Sequence, residues 1–168
     1  MDPLIIREVQ GSDVPAILEI YNPYITRTAV SFEEEPVTEP EMRRRIKEVQ
    51  SYALPWLCAE LDGRLAGYAY ATRWRERSAY RFTAETTIYL AEGLLGRGFG
   101  NSLYSALLDR VRAAGMHQVM AVITLPNPAS VRLHEKLGYV KVAHFSQVGY
   151  KFDRWLDVGY WQLAISTE

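Results

Sequence analysis

The sequence predicts an α/β (α+β) sandwich, with one mixed β-sheet of about seven strands flanked by about four helices. Three observations carry this. Hydrophobic periods run in the order strand, two helices, three strands, helix, strand, helix, two strands. Two of those helices sit between strands, as crossovers within one sheet require. An Asp62-Gly63 pair between two apolar runs marks a two-residue hairpin.

The elements follow in order. Residues 4–9 form the first strand. Ser12 or Asp13 caps a helix ending near Tyr24, with Ile17, Leu18 and Tyr21 at helical spacing. Thr38-Glu39-Pro40-Glu41 reads as a capping box with an early proline, so a second helix runs to about Gln50. Residues 26–36 between them form a loop. Residues 56–61 and 64–74 are the hairpin strands, and residues 80–90 the long central strand. The third helix, residues 101–114, has Leu103, Leu107 and Val111 on its apolar stripe, with Leu108 beside it. Residues 119–124 are a β-branched strand. Asn127 is a good N-cap, Pro128 suits the first helical position and Gly138 stops the fourth helix after Leu137. Residues 139–148 and 155–165 alternate as an antiparallel pair.

Composition narrows the function classes. A chain of 168 residues is about one domain, here residues 1–168. With 48% hydrophobic and 23% charged residues it reads as an ordinary globular protein. A net charge of −1 gives no general attraction to nucleic acid or anionic membranes. Arg43-Arg44-Arg45 is surrounded by Glu39, Glu41 and Glu48 and reads as a solvated helix face. No apolar run of about 18 residues predicts a membrane span, and the N-terminus lacks a signal-peptide core. The single Cys58 cannot form an internal disulfide, which suits a reducing, cytoplasmic setting. Its run Trp56-Leu57-Cys58-Ala59 reads as core rather than as a nucleophile's setting. His117, His134 and His144 show no metal-ligand spacing, so no metal is expected. Tyr150, Phe152, Trp155, Tyr160 and Trp161 crowd the C-terminal segment; they either finish the core or form a homodimer interface.

Two motifs carry the chemistry. Leu95-Gly96-Arg97-Gly98-Phe99-Gly100 follows a strand and opens a helix. Glycines let backbone approach a ligand, and a helix N-terminus offers free N–H groups to an anion. No Gly-Lys-Ser/Thr follows, so it is no P-loop, and a plain strand-to-helix turn explains it equally well. The second motif, Asn127-Pro128-Ala129-Ser130 through Leu133-His134-Glu135-Lys136-Leu137-Gly138-Tyr139, follows the next strand. The pair resembles the GNAT family of acetyl-CoA-dependent N-acetyltransferases. Ala84-Glu85-Thr86-Thr87-Ile88-Tyr89-Leu90, Ile20-Tyr21-Asn22, Ser31-Phe32-Glu33 and the tail from Val148 to Leu163 look like its phosphinothricin and methionine sulfoximine acetyltransferase branch. Many members carry Gln or Arg where this chain has Leu95. Backbone amides do most of the phosphate binding, so the departure weighs little.

The resemblance implies a GNAT fold and direct acetyl transfer, through a tetrahedral intermediate, to the α-amine of a small amino-acid-like acceptor. It implies acetyl-CoA as co-substrate, held by Ile88, Tyr89, Leu90, Gly96, Arg97, Gly98, Phe99, Gly100, Asn101 and Asn127. Acceptor contacts fall at Arg75, Glu76, Arg77, Glu85, Thr86 and Thr87, with Phe32 closing the pocket. Glu85 is the candidate base, although an outward-facing charge explains the residue alone better. His134 is the candidate acid, and a packed helix histidine accounts for it as well from sequence. The arginines around Trp74 suit a carboxylate but equally suit solvent. Protein N-termini or polyamines are alternative acceptors, and a non-catalytic acyl-CoA-binding domain is the non-enzyme alternative.

Overall fold

In a computed structural model, which describes residues 3–166, seven strands form one mixed sheet in the order β1-β2-β3-β4-β5-β7-β6. They are β1 (Ile5–Glu8), β2 (Trp56–Leu61), β3 (Arg64–Arg73), β4 (Thr83–Leu90), β5 (Gln118–Leu125), β6 (Val140–Lys151) and β7 (Arg154–Ala164). The helices are α1 (Val14–Arg27), α2 (Glu39–Ser51), α3 (Phe99–Ala113) and α4 (Pro128–Lys136). All neighbouring strands are antiparallel except β4 and β5, which α3 joins as a parallel crossover.

Strand alternation assigns the faces. Tyr89 of β4 meets Tyr21 and Tyr24, so α1 covers one face. Ile88 and Leu90, one residue out of phase, lie against Gly100 of α3 on the other. The predicted stripe Leu103, Leu107, Leu108 and Val111 is buried there. Asp62 and Gly63 both adopt positive φ, at 50° and 73°, the conformation of a type I′ hairpin. Among the described residues no helix is long and apolar enough to cross a membrane.

The differences from the sequence reading have physical causes. Helix α1 continues past Tyr24 to Arg27, through Pro23, because Ile25 is buried on the core stripe. The Asp13 carboxylate does not cap α1; Gly11–Asp13 form a 3₁₀ turn, and Arg7 takes the carboxylate at 2.8 Å through both nitrogens. A charged fork outcompetes a neutral helix N–H. Half of the capping box forms: Thr38 accepts the Glu41 N–H at 3.4 Å, while the Glu41 carboxylate turns to Arg44 and Arg45. β4 starts at Thr83 rather than Tyr80, because Ser78–Tyr80 form another 3₁₀ turn. β6 extends to Lys151 over a bulge between Phe145 and Gly149.

Arg7 holds the Asp13 carboxyl below the usual carboxylate range. Such a group stabilises the fold fully above its unfolded pKa and loses that contribution as pH falls through its folded pKa. Asp13→Ala is therefore expected to cost roughly 2 kcal/mol at pH 7. Urea titrations should show the gap from wild type closing in acid; a gap independent of pH would mean that packing, not charge, is what Asp13 supplies.

Candidate active site

The site begins where two strands part. β4 pairs with β5 only from Thr83↔Gln118 to Glu85↔Met120, whereas β5 stays paired with β7 along its whole length. The Ala91 N–H bonds the Ala66 carbonyl on the β3 side at 2.8 Å. By alternation, the backbone groups of Ile88 and Leu90 point into the opening. Tyr24 already donates to the Leu90 carbonyl at 2.7 Å, so a strand-like ligand finds the other groups of this edge. Val30, Thr86, Thr87, Asn127, Ser130 and His134 line the narrow cleft.

The glycine loop stands beyond the end of β4. Gly96 and Gly98 have φ of 77° and 88°, where a side chain is strained, and a Cβ on either would meet nothing within 4 Å. Conformation rather than crowding selects glycine, and the space before the α3 N-terminus is open. Gly100 differs: a Cβ there would lie 3.3 Å from the Leu90 side chain, so glycine brings α3 close to β4. The Arg97 guanidinium lies over the Phe99 ring at 5.2 Å. Free helix N–H groups, the dipole and an arginine together suit a pyrophosphate.

A buried polar node backs the cleft. Thr86 Oγ1 donates to the Met120 carbonyl at 3.3 Å and lies 2.7 Å from the Tyr104 hydroxyl and 2.8 Å from that of Tyr139. The Tyr104 hydroxyl is also 3.0 Å from His134 Nε2. His134 Nδ1 lies 2.7 Å from the Ser130 carbonyl, which can only accept, so Nδ1 carries the proton. Burial pushes the His134 pKa down and favours the neutral ring. Asn127 caps α4 through Oδ1, which accepts the Ser130 N–H at 3.2 Å.

Glu85 sits at the last paired position of the opening, on the α1 face, beside Thr72 of β3. Burial raises its pKa, partly countered by Arg75. Tyr70, on the same face and opposite Thr87 in the ladder, is pushed up to about 12 by burial. Next to it lies a cavity of 570 Å³ lined by Trp56, Tyr70, Thr72, Arg73, Arg75 and others. The Trp56 indole N–H is buried without a hydrogen-bond partner. A larger cavity, of 760 Å³, lies between α1 and the β2–β3 hairpin and includes none of the candidate catalytic residues.

The fold thus lines one cleft with Thr86, Thr87, Asn127 and His134, with Glu85 at the strand position where β4 and β5 part. Arg75 reaches the field of Glu85 while stacking on Trp74 at 4.4 Å; Glu76 and Arg77 are exposed. Phe32 lies on the Gly149 backbone and is half-exposed. Cys58 is buried and its thiol is pushed up to about 12, so it is no nucleophile at neutral pH. Among the described residues no group of three or more His, Cys, Asp or Glu could hold a metal ion. Sequence reasoning missed Tyr24, Tyr70 and Tyr104. A tyrosine beside the apolar stripe of α3 was the available signal, since a buried hydroxyl needs a partner.

The tautomer is measurable. Nitrogen-15 NMR of His134 should show a protonated Nδ1 and an accepting Nε2 at pH 7, with the Nε2 shift moving in Tyr104→Phe. A ring protonated on Nε2 alone would contradict this geometry.

Comparison with known proteins agrees with the geometry. Residues 6–159 match the acetyltransferase (GNAT) domain. The phosphinothricin N-acetyltransferase of Streptomyces viridochromogenes is 42% identical over 95% of this chain and 87% of its own. The L-methionine sulfoximine/L-methionine sulfone acetyltransferase of Salmonella typhimurium is 36% identical over 95% of this chain and 94% of its own. The solved structure of yncA, an acetyltransferase of Salmonella typhimurium with its cofactor acetyl-CoA, superposes with a TM-score of 0.96 at 35% identity, covering 99% of this chain and 96% of that one. With its sheet, its glycine loop and its parted strands, the chain belongs to the GNAT family of N-acetyltransferases.

Proposed function

We propose that this protein transfers acetyl from acetyl-CoA to the α-amine of a small amino-acid-like acceptor of the phosphinothricin or methionine sulfoximine type. The observation that carries the reading is the desolvated carboxylate of Glu85 at the mouth of an unpaired strand edge. The edge at Ile88 and Leu90 suits the amides of a pantetheine arm, while Tyr89, expected to share in it, turns its backbone to β3; the loop from Gly96 to Asn101 suits the pyrophosphate. Asn127, whose Oδ1 serves the helix cap, adds a side-chain amide at the cleft.

An ammonium must lose a proton before it attacks a thioester. Glu85 takes that proton, directly or through a water, and its raised pKa brings it nearer neutrality. His134 is the proposed acid: burial favours its neutral ring, whose one hydrogen is held on Nδ1 by the Ser130 carbonyl, so the ring first takes up a proton and gives it to the departing thiolate as the imidazolium. Arg75 and Arg73 border the adjoining cavity and suit an acidic acceptor. A polyamine would meet those cations unfavourably, and the names of the relatives support the amino-acid-like class.

An acetyl-CoA consumption assay across phosphinothricin, methionine sulfoximine, amino acids, polyamines and N-terminal peptides tests the reading; turnover confined to polyamines or peptides would overturn it. Glu85→Gln should bind acetyl-CoA normally and lose about 10²–10⁴-fold in kcat. It should also lose the carboxylate limb of the pH–rate profile. More than about a tenth of wild-type activity with an unchanged profile would remove Glu85 from the role of base.

We further propose a cytoplasmic homodimer. Trp161 is buried and Tyr160 packs on Trp74 and Phe145, but Val140, Val148, Tyr150, Phe152 and Trp155 remain 51–65% exposed on the β6–β7 end of the sheet. An apolar patch on an edge strand invites a partner. Light scattering at micromolar concentration should give twice the monomer mass, and a monomer mass would refute the assembly.

A further inference from the structure

The loop of residues 28–38 lies over the cleft, and most of its ties come from the helices it connects. Tyr21 holds the Ser31 hydroxyl at 2.9 Å, Arg45 grips the Glu33 carboxylate at 2.6 and 2.9 Å, and Asn22 pairs with both backbone groups of Val37. One tie comes from the opposite end of the sheet. Lys151, the last residue of β6, is buried, and its ammonium donates to the Ile25 carbonyl at 2.7 Å and the Ser31 carbonyl at 2.6 Å. Among the described residues no carboxylate bonds it, although Glu34 and Glu33 lie within its field, and the Phe152 ring centroid lies 5.1 Å away. Burying an ammonium whose only direct acceptors here are carbonyls is costly, so space filling does not account for a lysine here.

What Lys151 holds is the residue between two others that matter. Val30, on one side of Ser31, lines the cleft with Thr86, Thr87 and His134. Phe32, on the other side, rests on Gly149, where a Cβ would come within 2.3 Å of the ring. Lys151 and Gly149 are two residues apart on one strand, so a single segment of β6 fixes both the backbone and the aromatic ring of the loop.

We propose that Lys151 is a positioning residue for the acceptor: through the Ser31 carbonyl it sets where Val30 and Phe32 stand over the cleft, with Gly149 as the seat for Phe32. The proposal rests on the acetyltransferase reading of that cleft. Val30 shares its cleft with Ile88 and Asn127, but the loop from Gly96 to Asn101, which serves the pyrophosphate in that reading, lies outside that cleft, so acetyl-CoA keeps contacts that this tie does not reach and the two substrates should respond differently.

The test uses the full chain with Lys151→Met, which keeps the length and removes the charge, and Gly149→Ala, which leaves the Lys151 side chain in place and crowds the Phe32 ring. In both, acetyl-CoA affinity by calorimetry should stay within about twofold of wild type, while KM for the acceptor rises roughly tenfold or more and kcat falls less. Folded variants with wild-type acceptor KM would overturn the proposal and leave Lys151 a purely structural tie. If Lys151→Met does not fold, Gly149→Ala decides alone, because an unaltered acceptor KM there means that loop placement does not matter. A wild-type protein that acetylates none of the acceptor panel overturns the activity reading, and this proposal with it.

Discussion

Everything at the site depends on the point where β4 and β5 stop pairing. A sheet interior satisfies its backbone by pairing, so strands that part inside a fold must find other partners. The last ladder pair is Glu85↔Met120, and the next residue, Thr86, takes the Met120 carbonyl with its side chain. The hydroxyls of Tyr104 and Tyr139 both lie within hydrogen-bond distance of Thr86, and His134 joins through Tyr104. Side chains from β4, α3 and α4 thus replace a ladder that would otherwise close. The opening persists because the polar groups behind it are already occupied, while those of Ile88 in front are not.

One environment acts in opposite senses on the two titratable groups at this opening. Desolvation disfavours charge, so it raises the pKa of Glu85 and lowers that of His134. Both shifts bring carboxylate and imidazole toward each other on the pH scale. Arg75 restrains the first, and the Ser130 carbonyl restrains the second by stabilising the proton on Nδ1. Arg45 and Glu48, which line the cavity beside Tyr70, are already paired, Arg45 with Glu33 and Glu41 and Glu48 with Arg44.

Much of this was legible in the sequence. The hairpin at Asp62-Gly63, the Asn127-Pro128 helix start and the stripe Leu103, Leu107, Val111 rest on local rules, and local rules survive folding. Glu85 and the glycine loop were legible as residues, but their meaning came from family likeness, since a strand carboxylate by itself reads as solvated. What could not be read is long-range. Arg7 claims Asp13 from a helix cap because a strand passes nearby. Lys151 stands more than a hundred residues from Ser31, and nothing in its own neighbourhood, Tyr150 and Phe152, announces a buried ammonium. Tyr104 is indistinguishable in sequence from any aromatic core residue until His134 is brought to it from another helix.

The Tyr104 hydroxyl has one hydrogen and two claimants, Thr86 Oγ1 and His134 Nε2. With the imidazole neutral, that hydrogen belongs to Nε2, and Thr86 is left to Tyr139. Were the ring to gain a proton, Nε2 would become the donor, and the Tyr104 hydrogen would have to rotate to Thr86. The charge state of a histidine on α4 is thus coupled, through one shared hydrogen, to the direction in which a hydroxyl on α3 donates.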